Sequence, residues 1–486
     1  MKKVFTMVLT MGVLLASAQT VINETWSRVT GYPNPNFNWS ASDTDAGNNV
    51  INAGNTLGAG SQLLNMHIVK LDDADGSVLW EEEWTSQGSY NDYASDVVVG
   101  SDAVYVCGAS VISSTDVVCV ILKLDLDDGE LLWTYTYNTG LINIPSSIEY
   151  VSSDGIYFCG STTSVSTSSD FMVGHLYDSD GLEDWTQTYD YSQDYDLGVR
   201  MRVNSQTVYV TGVSGSSWTD TEITTLAFNK FSGSLVGVNN IPNPSDYIDM
   251  PTDITTDIAG NVYICGQYGT GTSCDMKVVK LDDELEMLWE VEWDGNDDED
   301  VPNALAVDEE GNVYATGYTI NEDNKKEMVT NAFDDAGELL WSKRKLVKPL
   351  YQSTCGTDID YRFGQLIAAC TYKANDATHQ LLYSYKTDDG FPNWIEEFDD
   401  FALNDTTKVQ VRIMNNNAAY TTAMTDGSEG FRYLNVRYDF KKRNRVPHYD
   451  ENDKPDYAAH EVFIRFVPDA LNYSTLDNTN KHYGKL

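Results

Sequence analysis

Tryptophan recurs along this chain at a nearly constant interval, and this regularity restricts the possible folds strongly. The series consists of Trp26, Trp80, Trp133, Trp185, Trp289, Trp341 and Trp394, with gaps of 54, 53, 52, 104, 52 and 53 residues. Inside the double gap, Gly237 stands four residues after Gly233, just as Trp80 follows Gly76. The series therefore has eight members, and a period of this length indicates a repeat architecture.

A series of tyrosines keeps the same interval. AVYVCG, GIYFCG, TVYVTG, NVYICG and NVYATG contain Tyr105, Tyr157, Tyr209, Tyr263 and Tyr314, at gaps of 52, 52, 54 and 51 residues. The surrounding residues alternate between apolar and polar in short runs bounded by Gly, Asp and Asn, which is the pattern of β-strands joined by tight turns. Each unit contains four such runs, so the sequence predicts the four-stranded blades of a β-propeller.

The two ends of the repeat determine the number of blades. Trp26 lies in a stretch that matches a fourth strand with no strands before it, whereas residues 431–440 match a third strand with no fourth strand after it. We therefore predict an all-β, eight-bladed propeller over residues 23–440, closed by residues 23–31 as the outer strand of the last blade. Its inner strands should begin near residues 37, 92, 144, 196, 250, 301, 354 and 406. The recurring tryptophans are predicted to fill the gaps between blades.

The termini carry different signals. Residues 1–18 combine two lysines, an apolar run and the small residues Ala16, Ser17 and Ala18, so we expect a signal peptide cut before Gln19. Residues 441–460 are charged and interrupted by proline, which predicts a linker. Residues 461–486 are interpreted as a C-terminal β segment or as the start of a truncated module. The expected location is outside the cell or on the outer cell surface.

The charge is one-sided, with 74 acidic and 31 basic residues and a net charge of −43. A field of this sign repels phosphate backbones, so nucleic acid is not an expected partner. No segment after the signal peptide is long and apolar enough to predict a membrane span. We expect a monomeric propeller that binds a protein or polysaccharide on one face.

Acidic residues recur just before the inner strands, in loops that a propeller would gather around one mouth of its channel. This candidate acidic binding face comprises Asp92, Asp96, Asp194, Asp196, Asp246, Asp249, Asp298 and Asp300. Carboxylates are ligands that Ca²⁺ prefers, so Ca²⁺ is a possible ligand and no other cofactor is predicted. The alternative interpretation is a solvated face on an acidic protein. No catalytic residue is assigned, and the metal question stays open.

The seven cysteines of an exported chain raise the question of disulfides. Three pairs fall on neighbouring predicted strands: Cys107 with Cys119, Cys265 with Cys274, and Cys355 with Cys370. The alternative is a small buried position, because Thr211 and Thr316 occupy the place that Cys107 and Cys265 take in other units.

The repeat resembles the SBBP-type β-propeller repeats of secreted bacterial proteins, which are common among Bacteroidetes. The matching stretches are KVVKLDDELEMLW, ALAVDEEGNVYATGYT and FRYLNVRYD. This resemblance implies a propeller and an exported location, but no activity. A more distant resemblance concerns the eight-bladed quinoprotein dehydrogenases, because Asp72, Gly76 and Trp80 share their D-x3-G-x3-W spacing. Their cofactor pocket typically uses two adjacent cysteines, and this chain has no Cys-Cys pair.

Three functions are compatible with these observations. The first hypothesis is an exported, non-enzymatic scaffold that binds a partner through rigidly displayed loops. The second is a propeller enzyme, either a quinoprotein-like oxidoreductase or a carbohydrate-active hydrolase or lyase. The third is an accessory module of a larger secreted protein.

Overall fold

The computed structural model describes residues 20–34, 40–57, 63–86, 90–139, 141–152, 154–163, 169–191, 195–217, 219–242, 248–269, 273–295, 299–345, 351–404, 407–415, 417–425 and 431–442. In these ranges every regular element is a β-strand, and none of them contains a helix that could cross a membrane. The strands form eight antiparallel sheets of four strands each, as the repeat predicts.

The strands follow one another blade by blade along the chain. The first strand is β1 (Thr20–Asn34). Blade 1 contains β2 (Ser40–Thr44), β3 (Val50–Leu57), β4 (Leu64–Leu71) and β5 (Val78–Trp84). Blade 2 contains β6 (Asp92–Val99), β7 (Ala103–Val111), β8 (Val117–Asp125) and β9 (Leu131–Tyr137). Blade 3 contains β10 (Asn143–Val151), β11 (Gly155–Thr162), β12 (Asp170–Tyr177) and β13 (Glu183–Tyr189). Blade 4 contains β14 (Tyr195–Val203), β15 (Thr207–Ser217), β16 (Asp220–Asn229) and β17 (Leu235–Ile241).

The second half of the ring repeats this order. Blade 5 contains β18 (Met250–Thr256), β19 (Val262–Gly269), β20 (Cys274–Leu281) and β21 (Met287–Trp293). Blade 6 contains β22 (Asp300–Val307), β23 (Val313–Ile320), β24 (Lys326–Phe333) and β25 (Leu339–Lys345). Blade 7 contains β26 (Tyr351–Arg362), β27 (Gln365–Ala374), β28 (Ala377–Tyr385) and β29 (Pro392–Leu403). Blade 8 contains β30 (Gln410–Met414), β31 (Ala418–Met424) and β32 (Phe431–Lys442), and β1 completes it.

The blades are arranged radially around a channel. The first strand of each blade contacts the first strands of both neighbouring blades, and β2 contacts β30, so these strands form a closed circle. The sheet order β1-β32-β31-β30 places the N-terminal strand at the outer edge of blade 8, which confirms the predicted closure. Eight apolar clusters fill the spaces between adjacent blades. The core is therefore distributed around the ring.

The tryptophan series locks each blade to the next one. Trp26 in blade 8 donates a hydrogen bond from Nε1 to the Asp73 carbonyl oxygen of blade 1, at 2.9 Å. Its ring covers Gly76, where an added Cβ would lie 2.5 Å from Trp26 Cε3. Gly76 also has φ +68°, a conformation that residues with a Cβ rarely adopt. The same contact recurs around the ring, so that Trp80 in turn covers Gly129 of the next blade. The four-residue spacing in the sequence therefore joins the glycine that the previous blade covers to the tryptophan that covers the next blade.

Blade 4 lacks the tryptophan, and the contact there is reversed. Gly237 stands in the tryptophan position, and Leu285 of blade 5 stands where Gly76 stands in blade 1. Leu285 is only 3 % exposed, and its Cδ1 lies 3.6 Å from the position of a Cβ on Gly237. Leu285 adopts φ 67°, the conformation that glycine has at the equivalent turns. The leucine therefore fills the space that an indole fills elsewhere, although its backbone is strained.

None of the three predicted disulfides is formed, because all seven cysteines are free thiols. The register gives the reason: Cys107 lies opposite Ile121 and Cys265 lies opposite Val278. Cys355 and Cys370 lie opposite Thr371 and Gly356, so their side chains alternate to different faces of the sheet. The alternative interpretation, a small buried position, describes Cys107 and Cys265, which are both fully buried.

Ile22–Phe440 form one compact unit. The other unit, Met1–Val21 with Lys441–Leu486, contributes only the ends of β1 and β32 to the described residues. The predicted signal peptide, the linker at residues 441–460 and the segment at residues 461–486 lie outside the described residues, apart from the first two residues of the linker. These assignments stay predictions.

Candidate functional site

A β-bulge at the same point of six inner strands shapes the channel. The extra residues are Ser95, Ser146, Val199, Thr252, Asn303 and Thr357. The bulge brings the Tyr93 carbonyl oxygen to within 2.1 Å of a Cβ placed on Gly108, so only glycine fits opposite it. This contact explains the glycine that ends the repeated stretch after each buried Cys or Thr, and a bulge re-aims the side chains that follow it.

In three of these six strands the residue after the bulge is an aspartate that joins adjacent blades. Asp96 Oδ2 accepts the backbone N–H of Ile148 in the next blade, at 3.2 Å. Asp253 Oδ2 accepts that of Leu305, at 3.1 Å. The equivalent Asp358 binds the next blade in the same way. These channel carboxylates therefore hold the inner circle together.

Blade 4 places Arg200 at this joining position, because Arg200 follows the bulge and pairs with Thr211 just as Asp96 pairs with Cys107. An arginine cannot accept the N–H of the next blade. Among the described residues, Arg200 forms no hydrogen bond and no ion pair, and it is only half-buried. A positive charge thus lies in the wall of the channel, and no carboxylate of the described ranges is bound to it.

The deeper part of the channel is a cavity of about 520 Å³ crossed by ion pairs. Arg202 Nη1 lies 3.0 Å from Glu149 Oε1, and Arg412 Nη1 lies 3.1 Å from Asp358 Oδ2. Burial raises the pKa of Glu149 and of Asp358, although the neighbouring guanidinium groups oppose that shift. Arg202 and Arg412 are thus each paired with a carboxylate, whereas Arg200 is paired with none of the described carboxylates.

The channel opens into a mouth cavity of about 760 Å³ at the beginning of the inner strands. Its apolar wall comes from three neighbouring blades and contains Ile142, Ile144, Leu197, Val199, Met250 and Pro251. Ile142 and Ile144 are exposed, and Met250 is exposed beside them. Cavities of roughly 300–1,000 Å³ with mostly apolar walls and a few polar groups are typical of binding sites.

Lys408 brings a second positive charge to the base of the mouth cavity, just before β30 of blade 8. Its side chain reaches water but is enclosed by the channel wall, and this enclosure lowers the pKa of Lys408, as does the neighbouring Arg200. Within the described ranges Lys408 makes no hydrogen bond and no ion pair. Asp253 and Asp358 act on it at longer range, and both accept hydrogen bonds from blade backbones.

The predicted acidic residues take different places. Asp92, Asp196, Asp249 and Asp300 belong to this end of the propeller, but all four are fully buried. Asp92 accepts hydrogen bonds from Ser86 and Ser110, and Asp300 accepts the Gly295 N–H. Asp92 and Asp300 therefore hold the entering loops, and a role of these four residues in binding stays a prediction.

The other members of the predicted acidic face are separate cases. Asp96 lines both cavities and is the only one of the eight that the structure places at the channel wall in the described ranges. Asp194, Asp246 and Asp298 lie outside the described residues.

Two groups of carboxylates could hold a cation. One consists of Asp170, Asp190 and Asp196, and its equivalent two blades further on consists of Asp275, Asp294 and Asp300. In each group three oxygen atoms lie within 4.8 Å of one another. Burial and the neighbouring Asp294 raise the pKa of Asp275 to about 7. Because Ca²⁺ takes about 6–8 oxygen ligands, each group supplies only part of a coordination shell.

The comparisons with known proteins agree with the fold. Residues 295–323, which contain β22 and β23, match the family model described as the SBBP beta-propeller repeat. The protein carries an SBBP repeat. No curated protein sequence matches the chain.

Solved structures resemble this SBBP-repeat propeller at low sequence identity. A quinohemoprotein alcohol dehydrogenase from Pseudomonas putida is 11% identical, with a TM-score of 0.52, over 88% of this chain and 78% of that one. A quinohemoprotein alcohol dehydrogenase from Comamonas testosteroni has the same identity and TM-score, over 86% and 76%. Sqt1 from Chaetomium thermophilum is 9% identical, with a TM-score of 0.52, over 87% and 99%. At these low identities, the likenesses show a shared propeller fold and no shared activity.

The sequence reasoning missed Arg200, Lys408 and the apolar wall. One signal was present: when the units are aligned, Arg200 falls where Asp96, Asp253 and Asp358 fall in other blades. A basic residue in a repeated acidic position marks a place where the joining role is lost.

Proposed function

We propose that this protein is an exported binding propeller that receives a protein ligand in the mouth cavity of its central channel. The observation that carries this proposal is the cavity of about 760 Å³, into which three neighbouring blades expose apolar side chains. Exposed apolar surface of this kind marks interaction sites. Ile144 and Met250 are aliphatic, so they suit the side chains of a peptide better than the hydroxyl-covered surface of a polysaccharide.

Binding is favoured over catalysis by the state of the channel carboxylates. A general acid or base has to reach its substrate with a proton to give or take. Asp96, Asp253 and Asp358 accept backbone N–H groups of the next blade, and Glu149 is paired with Arg202. These groups support the ring, and moving them toward a substrate would break contacts between blades.

The proposal of an oxidoreductase draws on the shared fold and on the spacing of Asp72, Gly76 and Trp80, in which Gly76 and Trp80 serve contacts between blades. A fold does not specify an activity. Export is supported by residues 1–18, which have the composition of a signal peptide. Sequencing the N-terminus of protein collected outside the producing cell tests this part. A mature chain that begins at Gln19 supports export through a cleaved signal peptide, whereas retention of Met1 or failure to find the protein outside the cell contradicts it.

A neutral fluorescent dye that brightens in apolar surroundings, such as Nile red, tests the cavity. We expect one saturable site on the full-length mature protein, weakened at least about fivefold by Ile144→Asn, which removes apolar wall area. Ile258→Asn is the matched control, because Ile258 is 95% exposed in a turn away from the cavity. Equal dye binding by both variants would contradict the proposed site.

A further inference from the structure

The mouth cavity combines its apolar wall with two cations at its base. Arg200 comes from blade 4 and Lys408 from blade 8, and blades 4 and 8 lie on opposite sides of an eight-membered ring. Both residues line the mouth cavity and the deeper channel, so they mark the junction of the two. A ligand that enters through the mouth meets the apolar wall first and the cations last.

These cations lack the partners that other enclosed charges of the channel have. Lys408 and Arg200 form no hydrogen bond or ion pair with any described residue, although the chain has 74 acidic residues. Arg202 and Arg412, which lie deeper in the channel on β14 and β30, are each paired with a carboxylate. An external anion that binds both cations would gain charge-assisted hydrogen bonds that no described residue makes with them.

The nearby carboxylates do not cancel the pair. Asp96 lines the same cavity, but its two oxygens accept the backbone N–H groups of Val97 and Ile148. The described lining of the mouth cavity therefore holds two cations and one carboxylate, while Asp253 and Asp358 act on Lys408 from the deeper channel. Charge complementarity therefore calls for an anionic group on the ligand, next to an apolar part that fits the wall.

The remaining wall distinguishes between kinds of amphipathic anion. Ser161, Thr163, Ser169 and Gln410 line the same cavity, and although Thr163, Ser169 and Gln410 each make a hydrogen bond inside the chain, the Ser161 hydroxyl and the Gln410 amide N–H make none with a described residue. Peptide groups can hydrogen-bond to them, whereas an alkyl chain would remove them from water without offering a partner, which is unfavourable. The cavity thus suits a chain with alternating apolar side chains and polar peptide groups.

We propose that the mouth cavity binds the C-terminal segment of a partner protein, with the terminal carboxylate held between Arg200 and Lys408. This inference rests on the proposed function and adds the chemistry and direction of the ligand. The last side chains of the partner are apolar and contact Ile144 and Met250, while the peptide groups face the hydroxyls of the wall.

The test compares two libraries of acetylated peptides of about five residues on the immobilised full-length mature protein. One library ends in free carboxylates, and the other contains the same sequences as C-terminal amides. We expect retention of free acids with apolar last residues, and at least about tenfold weaker retention of their amides, because a charge-assisted hydrogen bond is lost.

Variants assign the effect to the two cations. Arg200→Gln and Lys408→Gln should each weaken retention of the free acids about tenfold or more, and Arg200→Lys should restore part of it. Because Arg200 and Lys408 make no hydrogen bond with the described part of the chain, both Gln variants should keep the wild-type unfolding midpoint. Arg362→Gln is the matched control: Arg362 lies at the far end of β26, outside the mouth cavity, and should not change retention.

The outcomes separate this inference from the proposed function. Equal retention of acids and amides, weakened by Ile144→Asn but not by Arg200→Gln, would overturn the carboxylate anchor and leave the apolar binding site standing. Retention of dodecanoate but of neither library, with loss in Arg200→Gln, would overturn the peptide as the ligand. Retention of none of these probes, in a protein that also fails to bind Nile red, would overturn both proposals.

Discussion

Leu285 and Gly237 provide a test of how neighbouring blades are locked together. Six other contacts of the ring place an indole over a glycine, whereas here a leucine points toward a glycine from the opposite side. Gly237→Trp, Leu285→Gly and the double variant convert this contact stepwise into the form found in the other blades. We expect each single change to destabilise the protein and the double change to recover most of the loss.

The magnitudes follow from the burial and the backbone. Leu285→Gly empties a site that is 3 % exposed, and large-to-small changes of buried leucine cost about 2–5 kcal/mol. Relief of the left-handed conformation at φ 67° returns about 1–2 kcal/mol, so the net loss is about 0–4 kcal/mol, centred on about 2 kcal/mol. Gly237→Trp forces an indole into the space of Leu285, which costs about 1–3 kcal/mol or more.

The free energy of unfolding should be measured for all four proteins in urea, with the dependence on urea concentration compared to check that the same transition is observed. A coupling energy of at least about 2 kcal/mol between the two positions is expected. Gly237→Trp combined with Ile112→Gly, an exposed position in blade 2, is the control pair and should be additive. Additivity of Gly237→Trp and Leu285→Gly would refute the interpretation that one side chain replaces the other.

Four further predictions concern the ring and its charges. Trp26→Ala removes the cover of Gly76 and should lower the free energy of unfolding by about 3–5 kcal/mol, with blade 8 becoming the first site of limited proteolysis. Asp358→Asn removes the nearest carboxylate of Arg412 and should cost about 1–3 kcal/mol in a urea titration, less than a fully buried pair because both groups reach the channel and Asp360 and Asp43 stay near Arg412. The raised pKa of Asp275, about 7, means that the folded protein keeps a proton that the unfolded chain releases near pH 4, so stability decreases between about pH 4 and pH 7. Asp275→Asn should therefore stabilise the protein by about 1–3 kcal/mol at about pH 8 and have little effect at about pH 4, and the opposite trend would contradict the pKa shift. Titration of thiols in denaturant without a reductant should count all seven cysteines, and a smaller number would show that disulfides form.

The repeat predicted the fold well because it records contacts between identical neighbours. Trp26 could be assigned to the last blade from the sequence. The stretch around it matches a fourth strand, and residues 431–440 match a third strand that has no fourth strand after it, so together they complete one blade. The Gly237 gap was also visible, but its compensation by Leu285 was not, because a leucine in a turn has no distinctive pattern until its position in space is known.

The candidate site was harder to predict because position along a strand does not reveal accessibility. The sequence placed Asp92 and Asp300 correctly at one end of the propeller, yet both are covered by the loops that they bind. Arg200 and Lys408 are more than two hundred residues apart in the sequence, and only the closed ring brings them to one cavity. Contacts across a ring leave no periodic trace in the chain, whereas contacts between successive blades do.

Strand β1 has a consequence for the order in which the molecule assembles. Thr30 receives a hydrogen bond from Asn435, which is 405 residues further along the chain. The first strand to be synthesised therefore has to stay unpaired until the last blade exists, and blade 8 is the final sheet to be completed. An aggregation-prone edge is exposed throughout that interval. Any factor that shields residues 20–34 during synthesis or transport would be expected to raise the yield of closed rings.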